Sequence, residues 1–227
     1  MIADMTFTTV HLMRHGEVNN PSGLLYGRLS GFNLTPLGRE MAQVVADYLK
    51  AEKRDITQVI ASPLLRAQET ALPTALAYGL PVGVDPNLME ASSKFEGVAV
   101  NANRWALAHP RNWRYYVRPL QPSWGEPHAK ILDRMRAAIS TAIDLAWGHE
   151  ALVVSHQLPI VTVQRFIQGK PLSHNPLRRE CSLASLTSLI FEDHTLVGWT
   201  YAQPAAELLD AAQDVTPGSS AAAVNEG

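Results

Sequence analysis

The stretch LMRHGEVNN, residues 12–20, decides how the rest of the chain is read. Just before it, Phe7 to Met13 carries β-branched threonines and a valine followed by apolar residues, which predicts a strand. Just after it, Gly16, Asn19, Asn20 and Pro21 break that strand into a loop. Arg14 and His15 therefore stand at the carboxyl end of a strand. In an open α/β sheet that is the edge along which ligands bind.

Working outward, the pattern of strand followed by helix recurs. From Thr35, TPLGREMAQVVADYLK offers a cap residue, a proline at the first helical position and apolar residues at amphipathic-helix spacing: Leu37, Met41, Val44, Val45, Tyr48 and Leu49. A short strand is expected over Thr57 to Ala61, with Ser62 and Pro63 as the cap and first turn of a helix that kinks or restarts near Pro73. Later, ALVVSH leads into QLPIVTVQRFIQG with Gly169 as its stop, and SLTSLIF pairs with LVGWTY as an antiparallel hairpin turning through EDHT. Strand alternating with helix predicts an α/β fold with a mostly parallel sheet covered on both faces. The stretch from about 95 to 127, rich in Trp, Arg, Asn and Pro and without a clear period, reads as an irregular insertion covering part of the site. Residues 1–204 are expected to form a single domain. Residues 205–227, where aromatics give way to small polar side chains, are expected to form a mobile tail.

Bulk composition narrows the function classes. At 227 residues, with 46% hydrophobic and 18% charged residues, the chain suits one packed domain with a sizeable core. A net charge of −2 supplies no overall basic field for nucleic acid or anionic membrane, so any anion site must be local. The single cysteine, Cys181, has no internal partner, and Asp4 stands where a secretory leader carries positive charge; together they predict a cytoplasmic protein. The most apolar window, ALVVSHQLPIVTVQRFI, is interrupted by His156, Gln157, Pro159, Gln164 and Arg165 and falls short of the ~20 apolar residues that span a bilayer.

Polar groups converge on the expected strand ends: Arg14 and His15 after the first, Ser62 and Arg66 after the second, His156 after VVS. A planar guanidinium can hold two oxygens of a phosphate dianion at once. Arg66 also falls in the first turn of its helix, where free N–H groups and the dipole favour an anion. Gly16 would let the backbone come close to a ligand. A lone arginine or histidine at a strand end is ordinarily structural, but two of each on one sheet edge point to phosphate chemistry.

At this point LMRHGE, LYGRLSGFNLTPLGRE, ASPLLRAQETA, NLMEASSKFEG and VVSHQLPI, running from about Val10 to Ile167, resemble the successive signatures of the histidine phosphatase superfamily, which includes the cofactor-dependent phosphoglycerate mutases. The resemblance implies a three-layer α/β/α sandwich around a mixed, mostly parallel sheet, a nucleophilic histidine, no metal and no cofactor. It puts His15 in the place of the phosphorylated histidine, Arg14, Arg66 and His156 in the phosphate pocket, and Glu90 in the place of the usual proton donor. Glu17 continues the RHGE box. Asn20 is closest to an asparagine that touches the phosphate in relatives, one position earlier than usual, and Gly27 is displaced equally, so one deletion explains both. Gln157 stands where relatives commonly have glycine, which bears on substrate choice. Gly16, Asn20, Gly27 and Gln157 are thus the expected substrate-binding positions. Glu96 matches a structural position, and Glu126 is a reserve acid.

In such a pocket a neutral His15 would attack phosphorus and give a phosphohistidine, while Arg14, Arg66, a protonated His156 and the helix end hold the oxygens. Glu90, its pKa raised by burial or by the phosphate, would protonate the leaving alkoxide and then activate water. The expected activity is a phosphomonoesterase acting on a small phosphorylated metabolite. A phosphoglycerate mutase is the alternative, disfavoured because the YG-x-L-x-G-L-N-K element of mutases is not recognisable and the region reads VAVNANRWALAHPRNWRYYVRPL. A non-catalytic binder of a phosphorylated ligand is the second alternative. No nucleic-acid or membrane partner is expected, and homo-oligomer formation is left open. His11 reads as strand packing or second support for the site; His109, His128, His149, His174 and His194 read as surface residues. Arg178 and Arg179 beside Glu180 read as a solvated charge cluster.

Overall fold

The computed structural model describes residues 5–98 and 125–214. The elements in chain order are β1 (Phe7–Arg14), α1 (Pro36–Ala51), β2 (Ile56–Ala61), α2 (Leu65–Tyr78), β3 (Val82–Val84), α3 (His128–Leu145), β4 (Glu150–Ser155), α4 (Gln157–Ile167), β5 (Leu186–Glu192) and β6 (Thr195–Ala202). The strands form one six-stranded sheet in the order β3-β2-β4-β1-β5-β6. β1, β2, β3 and β4 run parallel, while β5 and β6 are antiparallel additions on the far side of β1. The expected mixed, mostly parallel sheet is therefore present.

Side-chain alternation along the central strands divides the core between two faces. Val10 and Leu12 of β1, with Ala151 and Val153 of β4, pack with Ile131, Met135 and Ile139 of α3 and Ile160 of α4. Met13, Leu152 and Val154 point the other way, against Met41, Val45 and Leu49 of α1 and Ala67 and Ala71 of α2. This is the three-layer sandwich. No helix among the described residues is long and apolar enough to cross a membrane.

Thr35 caps α1 by accepting the Gly38 N–H at 2.9 Å, and Pro36 opens the helix. α2 differs from expectation at its start. It begins at Leu65 after an N-cap, Leu64, whose apolar side chain makes no bond; Ser62 stays at the sheet edge with its N–H on Val154 O (2.9 Å) and its hydroxyl against the His156 ring (2.8 Å), and Oγ also accepts the Leu64 N–H at 3.4 Å. Nor does the helix restart at Pro73; it continues to Tyr78 and ends at Gly79, whose φ of 68° suits a residue without Cβ.

The tail expectation is corrected over 205–214. Residues Ala206–Ala211 form 3-10 turns, and Ala205, Leu209 and Ala212 are buried in the core shared with α1 and α2. Residues 215–227 lie outside the described residues, as do 99–124, which comprise most of the expected insertion.

Candidate active site

Strand register brings the polar residues to one line. Arg14 pairs with Ser155 across β1 and β4, and Ala61 of β2 pairs with Val154, so the three carboxyl ends stop abreast. His15 follows, its N–H on Ser155 O at 3.2 Å. The chain then turns under α1 in very close contact: a Cβ on Gly16 would lie 2.4 Å from Gly38 O, and one on Gly38 would lie 2.1 Å from Glu17 O. The space Gly16 saves is thus taken by the helix, where the sequence reading had given it to a ligand.

This turn fixes the His15 tautomer. Nδ1 lies 2.8 Å from Gly16 O, which can only accept, so Nδ1 carries the hydrogen and Nε2 keeps its lone pair. Nε2 has no hydrogen-bond partner among the described residues. Burial, then the charges of Arg66 and Arg14, hold the His15 pKa well below the ordinary histidine value, which keeps that lone pair available.

The His156 ring meets His15 edge-on with centroids 5.2 Å apart. Its Nε2 is 2.8 Å from Ser62 Oγ, while its buried Nδ1 has no partner among the described residues. Burial and the nearby Arg66 push its pKa well down, which favours the neutral ring.

Arg66 lies at the start of α2, 1% exposed, with Nη2 on Gly27 O at 2.6 Å and its guanidinium 4.7 Å from the Tyr26 ring centroid. Its buried Nε lacks a partner among the described residues, and burial lowers its pKa. Gly27 is what permits this: its φ is +39°, and a Cβ there would run into the Glu96 carboxylate at 2.5 Å.

Arg14 is held by anchors that sequence reasoning missed. Nη1 donates to Cys181 O at 2.6 Å and Nη2 donates to Asp214 Oδ2 at 2.7 Å, both ends of that ion pair being buried. Burial, the largest single influence, lowers the Arg14 pKa, but Asp214 together with Cys181 and Tyr26 makes the net shift upward. Glu17 supports the same tail, accepting the Gln213 N–H at 2.6 Å and the Thr35 hydroxyl. A hollow beside the cluster is lined by Val18, Asn20, Tyr26, Leu183, Gln213 and Asp214, so the packed tail is part of its wall.

Glu90 approaches from the turn after β3. Ser155 Oγ donates to Leu88 O at 2.8 Å, and Arg28 Nε donates to Glu90 O at 2.6 Å, tying this segment to the strand ends. Burial raises the Glu90 pKa despite the opposing Ala91 N–H and the charges of Arg66, Arg179 and Arg134. Glu126 is differently placed. Its carboxylate is gripped by Arg28 (2.9 Å) and by Arg134 (3.1 and 3.2 Å), a fastening for the loop in place of the reserve-acid expectation.

Asn20, in the wall of that hollow, closes its own loop through its amide, with Nδ2 on Leu24 O at 2.9 Å and Oδ1 accepting the Leu24 N–H at 3.0 Å. Gln157, the first residue of α4, is 2% exposed, with Oε1 accepting from Arg179 Nη1 at 3.3 Å. Arg179 is therefore no solvated surface charge. His128 and His174 are half-buried beside it, with ring centroids 5.5 Å apart. His149 and His194 are exposed, and His109 lies outside the described residues.

Comparison with known proteins follows the same lines. A family model described as histidine phosphatase superfamily (branch 1) matches residues 10–202. An uncharacterised protein, Rv0525 of Mycobacterium tuberculosis, is 50% identical over 199 residues, covering 88% of this chain and 98% of its own. A probable phosphoglycerate mutase GpmB of Yersinia enterocolitica is 33% identical over 184 residues, 77% of this chain and 82% of its own. Among solved structures, mycobacterial glucosyl-3-phosphoglycerate phosphatase Rv2419c superposes with a TM-score of 0.67 at 24% identity, covering 87% of this chain and 98% of that one, a likeness of fold.

Proposed function

Because the chain belongs to the histidine phosphatase superfamily, we propose that it is a phosphomonoesterase that hydrolyses a small phosphorylated metabolite through a phosphohistidine on His15. One observation carries this reading: the hydrogen of Nδ1 is fixed on Gly16 O, leaving Nε2 as a nucleophile beside two buried guanidiniums. In-line attack by Nε2 forms the N–P bond as the bond from phosphorus to the alcohol oxygen breaks, and Glu90, whose hold on a proton burial strengthens, gives that oxygen its proton. The Glu90 carboxylate then takes a proton from water, which attacks the phosphohistidine and releases inorganic phosphate.

The buried donors that lack partners suit the transferred group. Arg66 Nε can reach an equatorial oxygen without giving up its Gly27 bond. With the Ser62 hydroxyl donating to His156 Nε2, the unpartnered Nδ1 carries a hydrogen and serves as a donor from a neutral ring. Donors held in place before reaction typically contribute ~10² to 10³ each in rate. Arg14, tied to Asp214 and Cys181 O, contributes its fixed charge.

Rapid quench with p-nitrophenyl [³²P]phosphate tests the reading. Acid-labile label should appear on the protein and vanish in His15→Ala; label persisting in that variant moves the nucleophile elsewhere. The probable mutase relative favours a second reading, phosphoglycerate mutase. Interconversion of 2- and 3-phosphoglycerate that outpaces phosphate release when bisphosphoglycerate is supplied would replace the phosphatase reading with it.

A further inference from the structure

Arg179 follows the short turn Pro176–Arg178, and two hydrogen bonds draw its guanidinium inward. Nη1 donates to Gln157 Oε1 at 3.3 Å and Nε donates to His174 Nε2 at 3.0 Å. Burial, which Glu90 opposes, brings its pKa down to about 10. Gln157 directly follows His156 at the start of α4, so its bond to Arg179 holds this cation beside the pocket, where Glu90 and Arg179 also act on each other's charge. With Glu90 as proton donor, a cation coupled to Glu90 lies toward the departing alcohol of a phosphomonoester.

The surroundings contain an unmet polar demand. Gln157 is almost wholly buried, and with Oε1 engaged by Arg179 its Nε2 donor has no partner among the described residues. A buried donor in that state is destabilising, and an acceptor on a ligand would relieve it. His174 donates from Nδ1 to Leu172 O at 2.7 Å, leaving Nε2 to accept from Arg179; it steers the guanidinium as a neutral ring. His128 packs against it, its pKa brought to about 4 by burial and then by His174, and adds no charge at neutral pH. A single guanidinium beside an amide donor matches a planar monoanion better than a second phosphate dianion.

Resting on the phosphomonoesterase reading, we infer that Arg179 and Gln157 form a subsite for a carboxylate carried on the alcohol portion of the substrate. Arg179 would make charge-assisted hydrogen bonds to it, and Gln157 Nε2 would supply the additional donor. The sequence alone hides this subsite, because Arg179 is brought to Gln157 only by the fold.

Steady-state kinetics on the full chain with a matched pair test it: 3-phosphoglycerate and glycerol 3-phosphate, which differ by a carboxylate against a hydroxymethyl group. The expected kcat/KM ratio is about ten- to a hundredfold in favour of 3-phosphoglycerate, expressed mainly in KM, as for a hydrogen bond to a charged group. Arg179→Gln should bring the ratio near one, Arg179→Lys should keep part of it, and Gln157→Leu should fall between. A ratio near one in the native protein, or a ratio unchanged by Arg179→Gln while both substrates slow alike, overturns the subsite. Faster turnover of propane-1,3-diol bisphosphate than of 3-phosphoglycerate overturns the carboxylate assignment. Turnover of p-nitrophenyl phosphate checks the phosphatase reading separately. If that fails, calorimetric titration with the same matched pair reads the subsite: tighter 3-phosphoglycerate binding that Arg179→Gln removes supports it, and equal binding overturns it.

Discussion

His11 sits inside β1 and His15 just past its end, and both are buried, at 1% and 2% exposure. His11 pairs with Ser188 in the β1–β5 register, and its Nδ1 lies 2.7 Å from Ser188 Oγ while Nε2 lies 2.7 Å from Glu150 Oε2. Both nitrogens are engaged. His15 has one nitrogen engaged by Gly16 O, two guanidiniums nearby and a lone pair with no partner among the described residues. Burial is common to the two, so burial alone does not mark a reactive histidine. What separates them is unfilled hydrogen-bonding capacity beside fixed positive charge, at the sheet edge where the parallel strands stop.

The sharpest way to break that contrast is to remove the unfilled ring. His15→Ala should lower kcat for p-nitrophenyl phosphate by roughly 10⁴-fold or more, since loss of a nucleophile leaves only binding and electrostatic assistance. Thermal unfolding would check that the variant is folded. A loss of less than tenfold in a folded variant would put His15 in the same class as His11.

The proton donor gives the next largest effect and a pH signature. Burial holds the His15 pKa below its ordinary 6.5, so activity is lost only as pH falls through that lower value. Burial raises the Glu90 pKa above its ordinary 4.5, so its proton, and the rate, are lost as pH rises through that higher value. The kcat/KM profile should therefore be a bell. Glu90→Gln should remove the descending limb and slow glycerol 3-phosphate by ~10² to 10³. It should slow p-nitrophenyl phosphate less in the first step, because that leaving group needs no proton, and phosphohistidine should then accumulate for want of a base. A bell that survives Glu90→Gln assigns the acid elsewhere.

Arg66→Ala tests the charge that His11 lacks. It should cost ~10² to 10³ in kcat/KM, and inorganic phosphate, which should raise the melting temperature of the native protein, should lose that effect. An undiminished phosphate-induced shift would mean that Arg66 does not hold the anion.

Legibility in the sequence follows how local each signal is. The strand ends were readable because a β-branched run, a break and a following helix lie within about a dozen residues, and the sheet edge then gathers Arg14, His15, Arg66 and His156 without further information. Thr35 and Pro36 announced α1 for the same reason. α3 was missed although its buried positions, Ile131, Leu132, Met135, Ala138, Ile139, Ala142 and Ile143, keep helical spacing; that periodicity was the available signal. β3 has only Val82–Val84, too short for alternation to register. Asp214 and Arg179 could not be seen at all. Each acts through contacts far along the chain, Asp214 on Arg14 and Arg179 on Gln157, and their neighbouring residues look like those of a polar tail and a surface charge cluster. The loop bonds of Asn20 were equally hidden, since a short polar side chain in a loop can bond its own backbone, here Leu24, without any mark in the sequence.

The smallest expected effect on catalysis comes from His11, and it is the control that gives the contrast its meaning. His11→Phe removes both of its hydrogen bonds, leaving Ser188 and the partly exposed Glu150 to find other partners. Glu150 retains Arg54 at 3.8 Å and some access to water, so the cost should be about 1–3 kcal/mol of stability and no collapse of the sheet. In a chain of this size that lowers the melting temperature by roughly 2–4 °C per kcal/mol. The kcat/KM of the folded variant should stay within about twofold and its pH profile should not move, because the interactions lost are structural ones at the middle of β1. A variant that melts normally but loses its acid limb would tie His11 to the His15 proton, and the distinction between filled and unfilled histidines would have to be redrawn along the whole strand.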